Sequence, residues 1–432
     1  MKKEFIKING LTKYFGESEM PTVKDINLTI NEGEFIAILG PSGSGKSTIL
    51  RAITGLMEPS EGEIIFDGKK VNGVNPYASI VFQTFALYPW LTVIENVELG
   101  LNAKNFPKEY SNRKAKELID LIGLDGFEDA YPKELSGGMK QRVGFARALA
   151  VEPKLLCMDE PFSALDFLTA ENLRTELIDL WTDKRMPIKS IIMITHGIEE
   201  AVLMADKIII LSKHPARIIK EINIDLPHPR NRKSPEFESL VDSIYSVFTK
   251  GKFSELEEEK VENIVQDSKD NIVKPVHIPK VHIGVMSGLL EMIDDNNGKM
   301  DIYQLGRDLM MEIDDLFPNI EGLTLLDFVN VNDGDIFITN FGKAFVEADT
   351  DEGKLIFKTQ IEKISSFRLI MNVLGNKKNH TMKREFFKEI FMHHFPEDEV
   401  ENVMDSIIHW GRYAEMFNYD HDSEELYLES EI

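Results

Sequence analysis

Short, largely apolar runs bounded by turn residues recur through the first half of the chain. Phe35–Leu39, Leu155–Met158 and Ser190–Thr195 are runs of this kind, which are typical of parallel strands buried on both faces. Phe5–Leu11 and Val23–Ile30 mix polar and apolar positions and predict further strands. The pattern therefore predicts an α/β fold with a mixed sheet at its core.

A helical pattern fills the interval between two of these strands. Over residues 108–123 the apolar side chains follow helical spacing and charged residues lie between them. Pro89–Thr92 precedes another predicted helix, which begins near Val93. We therefore expect a helical insertion over about residues 84–150, after which the chain returns to the sheet.

The second half of the chain changes character twice. Prolines among arginines and lysines mark an exit from the first domain, and a short helix is expected over Glu236–Thr249. The acidic, polar residues 251–275 then predict a solvated linker. The expected domains are residues 1–224 and 277–432, with residues 225–276 connecting them. An apolar helical pattern resumes after the linker, so we expect a second globular domain.

Residues 277–432 show one arrangement twice, namely helices followed by a short hairpin. The predicted elements are helices at Val285–Ile293, Ile302–Ile313 and Leu323–Val329 before a hairpin arm at Gly334–Thr339, then helices near 358–374, 383–394 and 398–411 before a strand at Glu425–Leu428. Helices followed by a β wing, twice, predict a mainly helical domain of two winged-helix-like modules.

Composition and charge narrow the classes of function. The 432 residues are enough for two or three domains, and the longest apolar runs are far too short to cross a bilayer. The start of the chain does not resemble a signal peptide, and the single cysteine, Cys157, excludes an internal disulfide, so we expect a cytosolic chain. Residues 1–224 carry 27 Lys and Arg against 31 Asp and Glu, whereas residues 225–432 carry 22 against 42. The second half is strongly acidic, which makes DNA an improbable partner.

The most informative motif is Gly40–Ser47, which follows the strand Phe35–Leu39 and precedes a predicted helix start. Glycines let backbone N–H groups wrap a phosphate, and the helix N-terminus adds partial positive charge. Lys46 can reach the β- and γ-phosphates, while the Ser47 hydroxyl can ligate Mg²⁺. A plain Gly/Ser turn is the alternative. The predicted ATP-binding residues here are Gly40, Pro41, Ser42, Gly43, Ser44, Gly45, Lys46, Ser47 and Thr48.

Leu135–Met139 predicts a second anion site, because Ser136 precedes two glycines at a helix start. Two phosphate-like sites exceed what one nucleotide needs, so we expect this segment to close over nucleotide held by another copy. Asp159 and Glu160 end a buried strand; Asp159 would hold Mg²⁺ through water and Glu160 would orient or activate the attacking water. His196 ends another strand and is expected to bond the γ-phosphate, although most single histidines are structural.

Taken in order, these motifs over about residues 4–222 resemble the ATP-binding subunit of ABC transporters, with Gly40–Ser47 as the Walker A motif. The resemblance implies a head-to-tail homodimer that sandwiches two ATP molecules, with signature residues Leu135, Ser136, Gly137, Gly138 and Met139 acting in trans. It also implies that Gln83 senses nucleotide, that Asp166 lies at the dimer seam, and that Phe15 stacks on adenine. The predicted catalytic residues are Glu160, His196, Lys46 and Gln83, and the predicted Mg²⁺ ligands are Ser47, Gln83 and Asp159.

A finer resemblance is to importers of nitrate, taurine, aliphatic sulfonates and similar solutes. The resemblance is carried by Phe82–Gln83, Leu87–Thr92, Gly137–Val143, Leu226–Arg230 and Ser234–Phe237. It implies ATP hydrolysis coupled to import, membrane permease subunits as partners, an indirect extracellular or periplasmic solute-binding protein, and a peripheral place at the cytoplasmic face of the membrane. The cargo stays open. The alternative is a soluble ABC-type ATPase or regulator that acts on protein or nucleic-acid partners through its C-terminal domain.

The end of the chain resembles another family. Trp410–Glu415 with Phe417–Asp420 is similar to the end of the AAA-associated C-terminal domain that is fused to some nitrate/sulfonate-type ATPases. We expect this domain to contact protein, either its own copy in a second subunit or the transporter, and to gate or inhibit ATP turnover. Any ligand of the domain stays open.

Overall fold

The computed structural model describes residues 3–16, 20–184, 188–213, 215–248, 275–309, 311 and 313–428. The chain divides into two compact units, Met1–Val241 and Asp242–Ile432. The acidic linker expected over residues 251–275 lies outside the described residues except at its last position. Among the described residues, no helix has the length and apolar character that a membrane span requires.

The first unit is built on two sheets. Its strands are β1 (Glu4–Lys13), β2 (Val23–Asn31), β3 (Phe35–Leu39), β4 (Glu61–Phe66), β5 (Lys69–Lys70), β6 (Ala78–Val81), β7 (Leu155–Asp159), β8 (Ser190–Thr195), β9 (Lys207–Leu211) and β10 (Ile218–Asn223). Within the described residues, one sheet has the order β2-β1-β4-β5 and is antiparallel, and the other has the order β10-β9-β3-β8-β7-β6. The predicted mixed sheet core is thereby confirmed.

The larger sheet determines where the functional side chains lie. Strands β6, β7, β8, β3 and β9 are parallel, and only β10 at the edge runs antiparallel to its neighbour. Strands β3 and β8 are buried at every position, which explains their largely apolar sequences. Because parallel strands end at the same edge, the segments that follow β3, β6, β7 and β8 meet there.

Helices cover the larger sheet and form the expected insertion. They are α1 (Lys46–Ile53), α2 (Val93–Ala103), α3 (Lys108–Leu121), α4 (Gly137–Ala150), α5 (Phe167–Thr182) and α6 (Ile198–Met204). A further helix, α7, covers residues 235–248 and continues from the first unit into the second. Helix α2 begins where the sequence predicts it, with Thr92 as N-cap and Glu95 completing a capping box. The insertion is helical over α2, α3 and α4, as predicted.

The second unit contains the same arrangement twice. Its elements are α8 (Ile283–Asp295), β11 (Lys299–Asp301), α9 (Ile302–Leu309), α10 (Ile313–Leu325), β12 (Val329–Asn332), β13 (Asp335–Ile338), α11 (Asn340–Glu347), α12 (Thr350–Ile361), α13 (Ser365–Asn376), β14 (Thr381–Lys383), α14 (Arg384–Met392), α15 (Glu397–Tyr413), β15 (Asn418–Asp420) and β16 (Glu425–Tyr427). Within the described residues the two antiparallel sheets have the equivalent orders β11-β13-β12 and β14-β16-β15. Helix, strand, two helices and a hairpin is the winged-helix order, so the unit is mainly helical with two such modules.

Several predicted boundaries in this unit are wrong. The helix expected over Ile302–Ile313 ends at Leu309, and the helix expected over Leu323–Val329 is the end of α10 followed by strand β12. The single helix expected near 358–374 is two helices, α12 and α13. Strands β11 and β14 were not expected, because each has three residues and exists only through pairing with a distant strand.

Candidate nucleotide-binding and catalytic site

The phosphate loop joins β3 to α1. Gly43 and Gly45 both have φ of 76°, in the left-handed region that favours glycine, and Gly45 is the N-cap of α1. A Cβ on Gly45 would lie 2.8 Å from Cγ2 of Val23, so any side chain at position 45 would also clash with its neighbour. The loop therefore has the tight turn in front of a helix N-terminus that binding a phosphate requires.

Lys46 is buried at the start of α1. Its Nζ donates to the carbonyl oxygens of Gly40 at 2.6 Å and Pro41 at 3.0 Å, so the ammonium group is held over its own loop. The buried hydroxyl of Ser44 has no hydrogen-bond partner among the described residues. A donor of this kind inside the loop fits a phosphate oxygen, which supports triphosphate binding here.

Ser47 and Asp159 come together from different elements. The Ser47 hydroxyl on α1 donates to Oδ1 of Asp159, at the end of β7, at 3.1 Å. Burial raises the pKa of the Asp159 carboxyl, and the nearby Glu160 charge adds to this, against the hydrogen bond from Ser47. The Ser47 hydroxyl and the Asp159 carboxylate are oxygen ligands of the kind that Mg²⁺ prefers. The positive charge of Mg²⁺ would also offset the free-energy cost of burying the charged carboxylate.

Glu160 is the centre of a group of three polar side chains. Its Oε2 accepts a hydrogen bond from Nε2 of Gln83 at 3.1 Å and lies 3.6 Å from Nδ1 of His196. The interaction with His196 lowers the pKa of the Glu160 carboxyl, although burial opposes this. The carboxylate is therefore ionised at neutral pH and can accept a proton or orient a water molecule.

The signature segment forms the start of α4. Ser136 is its N-cap, and the Oγ accepts a hydrogen bond from the Met139 backbone at 3.3 Å. Gly138 has little room, because a Cβ there would lie 2.2 Å from Cγ2 of Thr169 on α5, while Leu135 is buried. The backbone at this helix start can therefore approach a ligand only because the side chains are small or point away.

Two further predicted residues lie on the surface of the first unit. Asp166 is the N-cap of α5 and accepts a hydrogen bond from the Thr169 backbone at 3.1 Å. Hydrogen bonds from the side chain and then the backbone of Thr169 lower the pKa of the Asp166 carboxyl. Phe15 is 44% exposed, and Nζ of Lys13 lies 5.6 Å from the centre of its ring. An exposed ring of this kind has a face available for stacking.

Sequence reasoning missed Arg147, which fixes the segment after Gln83. This arginine lies on α4 and donates to the carbonyl oxygens of Phe85, at 3.0 Å, and Ala86. Both acceptors are left-handed residues, with φ of 61° and 48°. Burial lowers the pKa of the Arg147 guanidinium, so the charge lies in a poorly hydrated position. An arginine within the apolar run Phe145–Leu149 was the available signal.

Comparison with known proteins gives a family match in each half of the chain. The sequence profile described as "ABC transporter" matches residues 23–163, and the profile described as "C-terminal AAA-associated domain" matches residues 303–420. An uncharacterized ABC transporter ATP-binding protein of Methanocaldococcus jannaschii is 44% identical over 234 residues, which are 54% of this chain and 86% of that protein. The match with this relative therefore covers little more than half of the chain.

Two other relatives have named functions. An aliphatic sulfonates import ATP-binding protein of Bacillus cereus is 40% identical over 57% of this chain and 96% of its own length. A nitrate import ATP-binding protein of Synechocystis is 44% identical over 56% of this chain and 94% of its own length. A solved dimeric ATP-binding cassette with ADP and phosphate is 36% identical, covers 51% of this chain and 100% of its own, and has a TM-score of 0.46. The chain belongs to the family of ABC transporter ATP-binding proteins and is an ATPase with a C-terminal AAA-associated domain.

Proposed function

We propose that the chain is the ATP-hydrolysing subunit of an importer for a small solute of the nitrate, sulfonate or taurine type. Relatives named for sulfonate import and for nitrate import, at 40% and 44% identity, support this class of cargo. The observation that carries the catalytic part is the contact of Glu160 with both Gln83 and His196 beside the Ser47–Asp159 pair. The solute itself is not specified by these residues.

In the proposed reaction, Lys46 and the backbone N–H groups of residues 42–48 bind the phosphates. Mg²⁺, held by Ser47, Asp159 and Gln83, would supply charge neutralisation at the phosphate oxygens. Glu160 orients the attacking water and accepts its proton, because its carboxylate is ionised and within reach of other polar groups. His196 donates a hydrogen bond to the transferring phosphoryl group, whose charge it helps to stabilise.

We further propose that the active form is a head-to-tail dimer. Ser136 and Gly138 of one subunit would complete the site on the γ-phosphate bound by the other, and Asp166 would lie at the seam between them. The start of α4 supports this role, since Ser136 caps the helix and Gly138 has no side chain. Phe15 would stack on the adenine. Closure of the dimer would act on membrane permease subunits at the cytoplasmic face, and a solute-binding protein would take part indirectly.

The second unit is proposed to contact protein rather than nucleic acid. Residues 225–432 carry 22 Lys and Arg against 42 Asp and Glu, which is the reverse of the basic footprint that nucleic acid binds. Its partner would be the same domain of a second subunit or the transporter. Deleting residues 251–432 should change the rate or regulation of transport-coupled ATP hydrolysis; unchanged rates and regulation would exclude this role.

The dimer proposal is tested in a Glu160→Gln background, in which bound ATP persists. ATP and Mg²⁺ should convert this variant from a single chain to a dimer on a sizing column. Adding Ser136→Glu should abolish the dimer but leave ATP binding by the single chain unchanged, whereas adding Lys46→Ala should weaken both the dimer and ATP binding. Thr92→Glu is the matched control, because it places the same charge at another helix N-cap, and it should still dimerise.

One result would contradict the proposal that the signature residues act on nucleotide bound by the other subunit. If Ser136→Glu weakens ATP binding by the single chain as strongly as Lys46→Ala does, Ser136 acts on its own subunit's nucleotide. The import proposal is tested separately by purifying the chain from its native membrane and identifying associated proteins. Recovery with ribosomes or DNA instead of a permease would contradict it.

A further inference from the structure

The residues on both sides of His196 are fixed by one carboxylate. The Thr195 hydroxyl donates to Oε2 of Glu200, and its oxygen in turn accepts a hydrogen bond from the Gly197 backbone at 3.0 Å. Glu200 lies in the first turn of α6 and is buried. The backbone position of His196 therefore depends on where this carboxylate is held.

Arg174 on α5 holds Glu200 in place. Its Nε donates to Oε1 of Glu200 at 2.7 Å, and the guanidinium group lies 5.2 Å from the centre of the Phe162 ring. Phe162 is buried and follows Glu160 by two residues. One mostly buried arginine thus contacts both the segment that carries Glu160 and the segment that carries His196.

The exit segment, residues 225–234, reaches the same arginine. Nη2 of Arg232 lies 2.6 Å from Oε1 of Glu171, the oxygen that Arg174 also contacts, and Nη1 lies 3.7 Å from Glu199. Arg230 anchors the segment, because its guanidinium donates to the carbonyl oxygens of Val202 and Ala205 at 2.6 Å each. The exit segment is therefore fixed to both α5 and α6.

We propose that Arg174 and Glu200 are positioning residues for Glu160 and His196, and that the exit segment acts on them through Arg232 and Glu171. The segment that leads to the C-terminal domain would then set the rate of ATP turnover. This inference rests on the catalytic roles proposed above. The physical reason is that reacting groups misplaced by about 1 Å can lose on the order of a hundredfold in rate. Arginine is suited to the position, since its fork can contact two carboxylates while its plane stacks on a ring.

Three variants test the proposal against a matched control. Glu200→Gln and Arg174→Gln should lower the kcat of ATP hydrolysis by roughly tenfold to a hundredfold, and Arg232→Gln by about threefold. The affinity for ATP should change by less than about twofold, because the phosphate loop is not touched. Lys189→Gln is the control, since it removes a 2.9 Å ion pair with Glu32 at the opposite end of β8, and it should have the wild-type kcat.

A double variant separates positioning from general structural damage. If Glu200 acts through His196, adding Glu200→Gln to His196→Ala should lower kcat no further. The proposal would be overturned if Glu200→Gln lowered kcat in the His196→Ala background as much as it does in the wild type. It would also be overturned if the variants lost ATP affinity by the same factor as kcat, or if Glu200→Gln and Arg232→Gln had the wild-type kcat.

A readout without catalysis keeps the inference separate from the proposed function. Amide hydrogen exchange of residues 195–198 in the nucleotide-free chain should be faster in Glu200→Gln and Arg232→Gln than in the wild type, and unchanged in Lys189→Gln. Wild-type exchange in both variants would overturn the coupling even if the chain hydrolyses ATP. Faster exchange in a chain that does not hydrolyse ATP would instead support the coupling and contradict the catalytic roles.

Discussion

The side-chain amide of Gln83 donates a 3.1 Å hydrogen bond to the carboxylate of Glu160. Gln83 follows β6 and Glu160 follows β7, and these parallel strands are neighbours in the sheet. A change in the position of the segment after β6 is therefore transmitted directly to Glu160. If Glu160 and Gln83 act as proposed, this contact is the physical route by which Gln83 reports the state of that carboxylate to the helical insertion.

Glu160→Gln should lower the rate of ATP hydrolysis by about 10²- to 10⁴-fold, which is the range for loss of a general base. Glutamine keeps the shape of the side chain but cannot accept the proton of the attacking water. ATP binding should persist, because Lys46 and the phosphate loop are unchanged. Phosphate release and equilibrium binding of ATP measure the two effects. Hydrolysis at the normal rate would refute the role of Glu160.

Asp159→Asn should stabilise the nucleotide-free chain while weakening its use of Mg²⁺. Burial raises the pKa of this carboxyl above the usual 3.8, so its charged form is disfavoured by folding. The stabilising contribution of the protonated group is therefore lost as pH rises from 3.8 through the folded-state pKa. At pH 7 the asparagine variant should melt higher by roughly 1–3 °C.

Two measurements check this prediction. Thermal unfolding at pH 7 without ATP or Mg²⁺ compares Asp159→Asn with the wild type, and the same scan near pH 3 should show a smaller difference. Added Mg²⁺ and ATP should then stabilise the wild type more than the variant. A lower melting temperature of the variant at pH 7 would show that the Ser47 hydrogen bond outweighs the cost of burial.

Lys46→Met should reduce the affinity for ATP by roughly tenfold to a hundredfold. The estimate follows from the loss of hydrogen bonds from a charged donor, about 1.5–3 kcal/mol. Lys24→Met, an exposed lysine on β2 of the same unit, is the control and should bind ATP normally. Isothermal titration calorimetry measures both variants. Equal affinity in the wild type and Lys46→Met would exclude Lys46 as a phosphate ligand.

Gly138→Ala should destabilise the nucleotide-free chain by about 1–3 kcal/mol, the usual cost of overpacking. The new Cβ would lie 2.2 Å from Cγ2 of Thr169, a β-branched side chain with few alternative rotamers. Gly137→Ala is the matched control, since its nearest neighbour would be Cδ2 of Leu165 at 3.6 Å, an ordinary contact. Thermal unfolding should therefore show a loss only at position 138.

A second substitution identifies the cause. Thr169→Ser removes Cγ2 and should restore part of the stability that Gly138→Ala loses. If the double variant is as unstable as Gly138→Ala alone, the methyl group of Thr169 is not the source of the strain. The packing of α4 against α5 would then have to be reconsidered.

Local patterns were sufficient for much of the first unit. The phosphate loop, the strand that precedes it and the capped start of α2 depend on residues close together in the chain, so their chemistry is visible in the sequence. The winged-helix order was also predictable, because helices and hairpin turns leave periodic signals. Strands β11 and β14 were not, since three-residue strands are defined by pairing with distant partners.

The sequence by itself determined the kind of chemistry, because a glycine-rich loop, a pair of carboxylates at a strand end and a serine before two glycines each have a local physical meaning. Only the tertiary structure decided which side chains touch. Glu160 and Gln83 are separated by 77 residues, and Arg232 and Glu171 by 61. Such contacts depend on the order of strands in the sheet and the packing of helices on it, and no local pattern in the chain specifies them.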